Sequence, residues 1–189
     1  LAANTTNVPP PRSLLDLTNA AFRGRVALAY PMFGTTATHL LALRQHWGES
    51  NWLEWCRALA ANKPFLVDGN SAAAQFAARG TVTVALTDSD DIAAENREGA
   101  QLNALPMTAE TLLIPNTVAV VRGCPHPDAA QRLFVYLQGP DVIAQLVAAR
   151  ALEGSSRADV TAPTLQPDWE ALLRDLEPAT EAMKKVFRR

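Results

Sequence analysis

Residues 82–92 read VTVALTDSDDI, and this stretch decides the fold class. Val82, Thr83, Val84, Ala85 and Leu86 run straight into carboxylates at Asp88, Asp90 and Asp91. An apolar, β-branched run entered from Arg79-Gly80 and left through a polar turn predicts a strand buried on both faces. The residues that follow, DIAAENREG, predict a helix whose free first-turn amides Asp88 is placed to cap. Open α/β sheets also put ligands here, in the crevice outside the carboxyl ends of their strands. Two readings of the carboxylates therefore stand. Asp88 is a cap with Asp90 and Asp91 complementing the helix dipole, or all of them face a ligand.

Upstream, RVALAY (Arg25 to Tyr30) predicts a short strand closed by Pro31. Gly34, Thr35 and Thr36 then open a helix running to about Trp47, and the amides of such a start suit an anion or a ligand oxygen. His39 lies one turn in, and a lone histidine there packs or caps more readily than it binds. Asn51 to Ala61 form a second helix, with Trp52, Trp55 and Leu59 as a core stripe that Trp47 joins. No basic residues interleave with this cluster, so it is packing and not a base-stacking platform. Phe65 to Val67 predict a strand ended by Asp68-Gly69-Asn70, after which Ser71 caps AAAQFAARG. Ser13 similarly caps LLDLTNAAF, with Asp16 at the capping-box position. The opening segment through Pro9, Pro10 and Pro11 reads as an extended linker or crossover.

Downstream, a helix from Asp91 to Glu98 leads to a strand at Gln101 to Leu105. From Arg25 the order is β, α, α, β, α, β, α, β, and its short connections imply a largely parallel sheet flanked by helices. The character changes after Pro106, the candidate hinge. TLLIPNTVAVVRG predicts two strand segments broken at Pro115; Pro127 and Gly139-Pro140 start two helices, and Pro178 opens a last one with a basic end.

Apolar residues at 48% and charged ones at 19% describe a soluble globular chain with a sizeable core. A net charge of -2 with scattered Lys and Arg leaves no footprint for nucleic acid. No apolar run approaches the roughly 20 residues of a membrane span. The opening LAANTTNVPPPRS lacks a basic n-region and a long apolar core, so it does not read as a signal peptide. The chain is then cytosolic, or a mature or truncated product. Cys56 and Cys124 cannot build a structural zinc site and lack redox spacing; a disulfide between them stays open.

Four segments carry a family resemblance: GRVALAYPMFGTTATHLLAL, VDGNSAAAQFAARGTVTVALTDSDD, LLIPNTVAVVRGCPHPDAAQRLFVYL and LVAARALEGSSRADV. Together they resemble the periplasmic ferric-ion-binding proteins, which belong to the extracellular solute-binding proteins of ABC importers. The resemblance implies a periplasmic-binding-protein type II-like fold: two α/β lobes joined by hinge strands, with a ligand cleft between them. It implies that residues 13–106 are the second lobe and residues 1–12 a hinge or linker segment. Residues 107–189 would then be hinge strands and C-terminal helices of the first lobe, whose N-terminal half and export signal are missing. The bare sheet edge left behind would invite a dimer. The implied partners are a small solute and an ABC permease subunit, in the periplasm or outside the cell, with no catalysis.

Carried over by position, Gly34, Thr35 and Thr36 are the anion loop, and Asn70 lines the cleft. Asp88 stands where the family has a cleft asparagine. Asp90 and Asp91 stand where it has the tandem tyrosines that ligate ferric iron, so they are the candidate metal ligands. The tyrosines of this chain, Tyr30 and Tyr136, lie elsewhere. Carboxylates and phenolates are both hard oxygen donors, so ferric iron or another metal ion with a synergistic anion still fits. A solute bearing hydroxyls or an ammonium would satisfy the carboxylates as well.

Two other classes compete. Asp88 and Asp90 resemble the Asp-x-Asp of magnesium-dependent phosphohydrolases, although that motif normally follows the first strand of its domain and here two strands precede it. A sensor domain on the same fold is the other.

Overall fold

The computed structural model describes residues 1–4 and 9–187. The sheet is built on β2 (Val26–Ala29), β3 (Phe65–Val67) and β4 (Val84–Leu86), each a short run of apolar residues. β2 pairs in parallel with both others, Leu28 standing opposite Leu66 on one side and Leu86 on the other. Thr83 and Val84 lead into β4 by donating to the Arg25 carbonyl at 2.9 and 3.1 Å. The full order is β3-β2-β4-β1-β5, in which β1 (Ala2–Asn4) runs antiparallel to β4 and to β5 (Leu102–Ala104). Among the described residues, two of the four ladders are parallel and two antiparallel, so the sheet is mixed, within the expected α/β class.

Side-chain alternation along the strands makes the two faces unequal. Val26, Leu28, Val84 and Leu86 point to a face covered by α1 (Gly34–Trp47), α2 (Glu49–Ala61) and α7 (Trp169–Val186). Ala2, Ala27 and Ala85 point to the other, where α3 (Asn70–Ala78) lays Ala73, Ala74 and Ala77 against them, with Ile92 of α4 (Ser89–Arg97) alongside. Small residues on both partners let α3 approach the sheet closely; the large ones need the thicker layer opposite. Trp52, Trp55 and Leu59 are buried as the stripe predicted, and Trp47 meets Trp55 edge-on with ring centroids 5.4 Å apart. Trp55 Nε1 donates to the Leu14 carbonyl at 3.0 Å, which satisfies the polar end of a buried ring. Cys56 and Cys124 are both free, and burial pushes the Cys56 thiol up to about 12.

Several local expectations are corrected. The opening segment, expected as an extended linker or crossover, contains a strand, β1, that fills the sheet between β4 and β5. The rest of the expected extension falls partly on residues 5–8, which lie outside the described residues, as do Arg188 and Arg189 of the expected basic helix end. LLDLTNAAF forms two short 3-10 turns, Leu15–Thr18 and Ala20–Phe22, with no cap from Ser13. Asp16 instead accepts the Arg12 N–H at 2.8 Å. Ser71 lies inside α3, whose N-cap is Gly69. Pro178 does not open a helix; it sits within α7, which Asp168 caps by accepting the amides of Glu170 and Ala171.

The chain forms two compact units: Leu1–Leu112 together with the stretch from Ala162 onward, and Leu113–Thr161. Residues after Ala162 thus pack with the sheet, because α7 contributes Leu172, Ala179 and Met183 to its core. The unit boundary follows Leu112 and not Pro106. In Leu113–Thr161, α5 (Pro127–Leu137) and α6 (Pro140–Ala148) begin at the prolines the sequence marked. The two strand segments expected before them are absent from the described residues; Val118, Val120 and Val121 are exposed without a ladder. A strand needs a neighbour for its backbone groups, and this unit supplies none.

Candidate functional site

Parallel pairing brings the carboxyl ends of β2, β3 and β4 to one edge, so the turns leading into α1, α3 and α4 meet there. Gly34 opens α1 at φ +60°, a left-handed geometry that side chains with a Cβ adopt only with strain. That conformation sets Thr35 and Thr36 in the first turn, facing the other two turns.

Asp88 is the N-cap residue of α4 in backbone geometry, yet its carboxylate caps no amide. Its Oδ2 accepts from Thr35 Oγ1 at 2.8 Å and from Asn70 Nδ2 at 2.8 Å. Asn70 Nδ2 also donates to Thr35 Oγ1 at 2.6 Å, and its Oδ1 accepts from Thr36 Oγ1 at 2.9 Å. Thr35, Thr36, Asn70 and Asp88 therefore form one network across three turns distant in sequence. The capping reading of Asp88 gives way to this: two side-chain donors in fixed positions outcompete the helix amides.

Asp91 is held separately. Its Oδ1 accepts from Ser71 Oγ at 2.7 Å and its Oδ2 from Thr87 Oγ1 at 3.4 Å, while Thr87 also bonds the Asn70 carbonyl at 2.8 Å. Burial, and then the charges of Asp90 and Asp88, raise the pKa of Asp91 against the lowering effect of those hydroxyls. Asp90 is exposed. One carboxylate oxygen from each of Asp88, Asp90 and Asp91 lies within 4.8 Å of the others. Gly34, Thr35, Thr36, Asn70, Asp88, Asp90 and Asp91 thus gather on one edge of the sheet. Ser71 and Thr87 belong with them and were missed, since a serine after a turn reads as a helix cap. Their side-chain targets exist only in three dimensions.

His39 is engaged elsewhere: its Nε2 lies 2.7 Å from the Glu110 carbonyl, to which it donates. Tyr30 directly follows β2 and is partly buried against the core.

Comparison with known proteins bears on this geometry. An uncharacterised protein of Haemophilus influenzae is 29% identical over 126 residues, which span 66% of this chain and 36% of that protein. Iron-bound HitA from Pseudomonas aeruginosa superposes with a TM-score of 0.69 at 20% identity, covering 98% of this chain and 65% of its own. The periplasmic binding protein AfuA from Actinobacillus pleuropneumoniae, with fructose-6-phosphate bound, gives 0.76 at 21% identity, covering 99% and 65%. At these identities the solved structures establish the fold alone, and the chain spans about two thirds of their length or less. Residues 1–149 match the family described as "Bacterial extracellular solute-binding protein". The match takes in most of the chain, sheet and candidate site included, and the chain belongs to the bacterial extracellular solute-binding proteins.

Proposed function

We propose that this chain is part of the solute-binding component of an ABC importer and that it captures one small solute without catalysis. The site is the edge carrying Gly34, Thr35, Thr36, Asn70, Asp88, Asp90 and Asp91, and the sheet-bearing unit is one lobe of a two-lobed binding fold. A single observation carries the reading: hydroxyl, amide and carboxylate groups from three separate turns are cross-linked into one network at the carboxyl edge of the parallel strands. Open α/β folds bind ligands in that position. An order imposed across three turns holds polar groups in place before a solute arrives, which lowers the entropy cost of binding.

The chemistry of the edge bounds the solute. Amides at the start of α1 suit an oxyanion, and no side chain caps that helix. The carboxylates suit a cation, an ammonium or hydroxyls. Ferric iron with a synergistic anion meets both demands, with Asp90 and Asp91 as the exchangeable ligands; a small organic solute bearing hydroxyls and an anionic group meets them too. A phosphohydrolase role for Asp88 is disfavoured, because its Oδ2 accepts two hydrogen bonds, an arrangement that suits scaffolding better than attack.

The test uses protein spanning the full length of the fold, with ferric citrate and fructose-6-phosphate as separate probes in titration calorimetry. One probe should bind at one site per chain. The double variant Asp90→Ala, Asp91→Ala should weaken it at least about tenfold, as loss of charged contacts does. Unchanged affinity in the double variant would remove these residues from the site.

A further inference from the structure

We infer that His39 is a positioning residue that clips the polypeptide leaving the sheet-bearing unit to the helix carrying Thr35 and Thr36. His39 follows Thr35 by four residues on α1, so both project from the same side of the helix. Thr35 turns its hydroxyl to Asp88, while His39 donates from Nε2 to the backbone oxygen of Glu110 at 2.7 Å. A carbonyl can only accept, so Nε2 carries the proton. Burial holds the imidazole pKa below its ordinary value, against the pull of the Glu110 carbonyl and of Asp88. The ring is therefore neutral at pH 7.

Glu110 is the right place for a clip. Its carboxylate accepts the Leu14 N–H at 2.9 Å, and its own N–H is braced by Thr108 Oγ1 at 3.2 Å. The next residue, Thr111, accepts the Leu165 N–H through its carbonyl at 2.8 Å. The chain leaves this unit after Leu112 and re-enters it at Ala162. The outgoing and returning connections are thus bonded to each other at Thr111 and Leu165, and the pair is joined to α1 through His39. A continuous run of contacts links Asp88, Thr35, the first turns of α1, His39 and the two connections. Displacing the start of α1 would pull on both connections, and holding the connections would pre-order the start of α1. Its value for solute capture rests on the site proposed above; the clip itself does not.

The test is hydrogen exchange by mass spectrometry on the chain, comparing it with His39→Ala and His39→Gln. His39→Ala should speed exchange roughly tenfold in peptides covering residues 108–112 and 163–167, with α2 unchanged. His39→Gln, which keeps a donor at similar reach, should restore protection. No change in His39→Ala, an equal rise across α2 and β4, or a glutamine that fails to rescue would each overturn the clip and leave His39 a packing residue. If His39→Ala does not fold, nitrogen-detected NMR of the unmodified chain decides. A neutral Nε2–H tautomer with a slowly exchanging proton supports the clip; the Nδ1–H tautomer overturns it. No solute enters either experiment, so the clip and the solute site stand or fall separately.

Discussion

Asp91 shows what gathering carboxylates at the edge of the sheet costs a residue placed there. Its carboxyl is half-buried beside two other carboxylates, and the hydroxyls of Ser71 and Thr87 compensate only in part, so its pKa rises above the ordinary carboxyl value. A carboxyl whose folded pKa exceeds its unfolded one favours folding below the unfolded value, and that contribution is lost as pH rises through the folded value. At neutral pH the charged form is therefore a burden on the fold. Asp91→Asn should melt at a higher temperature than the parent at pH 7, with the gap closing as pH falls toward 4, in thermal melts across pH. A lower melting temperature for the variant at pH 7 would mean that the hydrogen bonds from Ser71 and Thr87 outweigh the burial. Combined with weakened solute binding, the expected result is the exchange of stability for function common at binding sites.

At the scale of elements, the helices and strands from Arg25 to Leu105 were legible because each carries its own period or boundary residue. β1 was not. Ala2, Ala3 and Asn4 have no strand signature, and only the ladders offered by β4 and β5 make them one. The reverse happened at residues 113–121, where β-branched residues found no partner. Pro178 was misread for a related reason. Proline ends an isolated helix, but Leu172, Ala179 and Met183 bury along α7 on both sides of it and carry the helix through. The interior proline still forfeits a hydrogen bond and costs up to about 3 kcal/mol relative to alanine. Pro178→Ala should therefore raise the melting temperature by several degrees, at roughly 2–4 °C per kcal/mol for a chain of this size. No gain in calorimetry would show that the restricted backbone of Pro178 offsets the hydrogen bond it forfeits.

For the whole molecule, the two units differ sharply in how much they bury. The sheet-bearing unit holds both core clusters, whereas Leu113–Thr161 contains no buried residue among those described. Leu133, Val135 and Tyr136 of α5 are more than half exposed, at 56, 60 and 61%. Segments with few buried apolar contacts open at low free energy. Limited proteolysis should cut first within Leu113–Thr161 and leave two fragments that co-migrate on a sizing column, because α7 stays packed on α1 and α2. First cuts within α2 or α3 would contradict this order of stability.

What the sequence determined by itself was local: where β2 to β5 and the helices between them fall, and that polar turns close the strands. It also singled out Gly34, Thr35, Thr36, Asn70, Asp88, Asp90 and Asp91, since residue type, spacing and family resemblance mark such turns directly. The tertiary structure alone decided which groups those side chains address. Asp88 turns from its helix to Thr35 and Asn70, Ser71 serves Asp91 and not a helix end, and His39 reaches Glu110 across 71 positions of sequence. Hydrogen-bonding groups choose among partners by proximity in space, and a chain that is read in order does not contain that proximity until the sheet has formed.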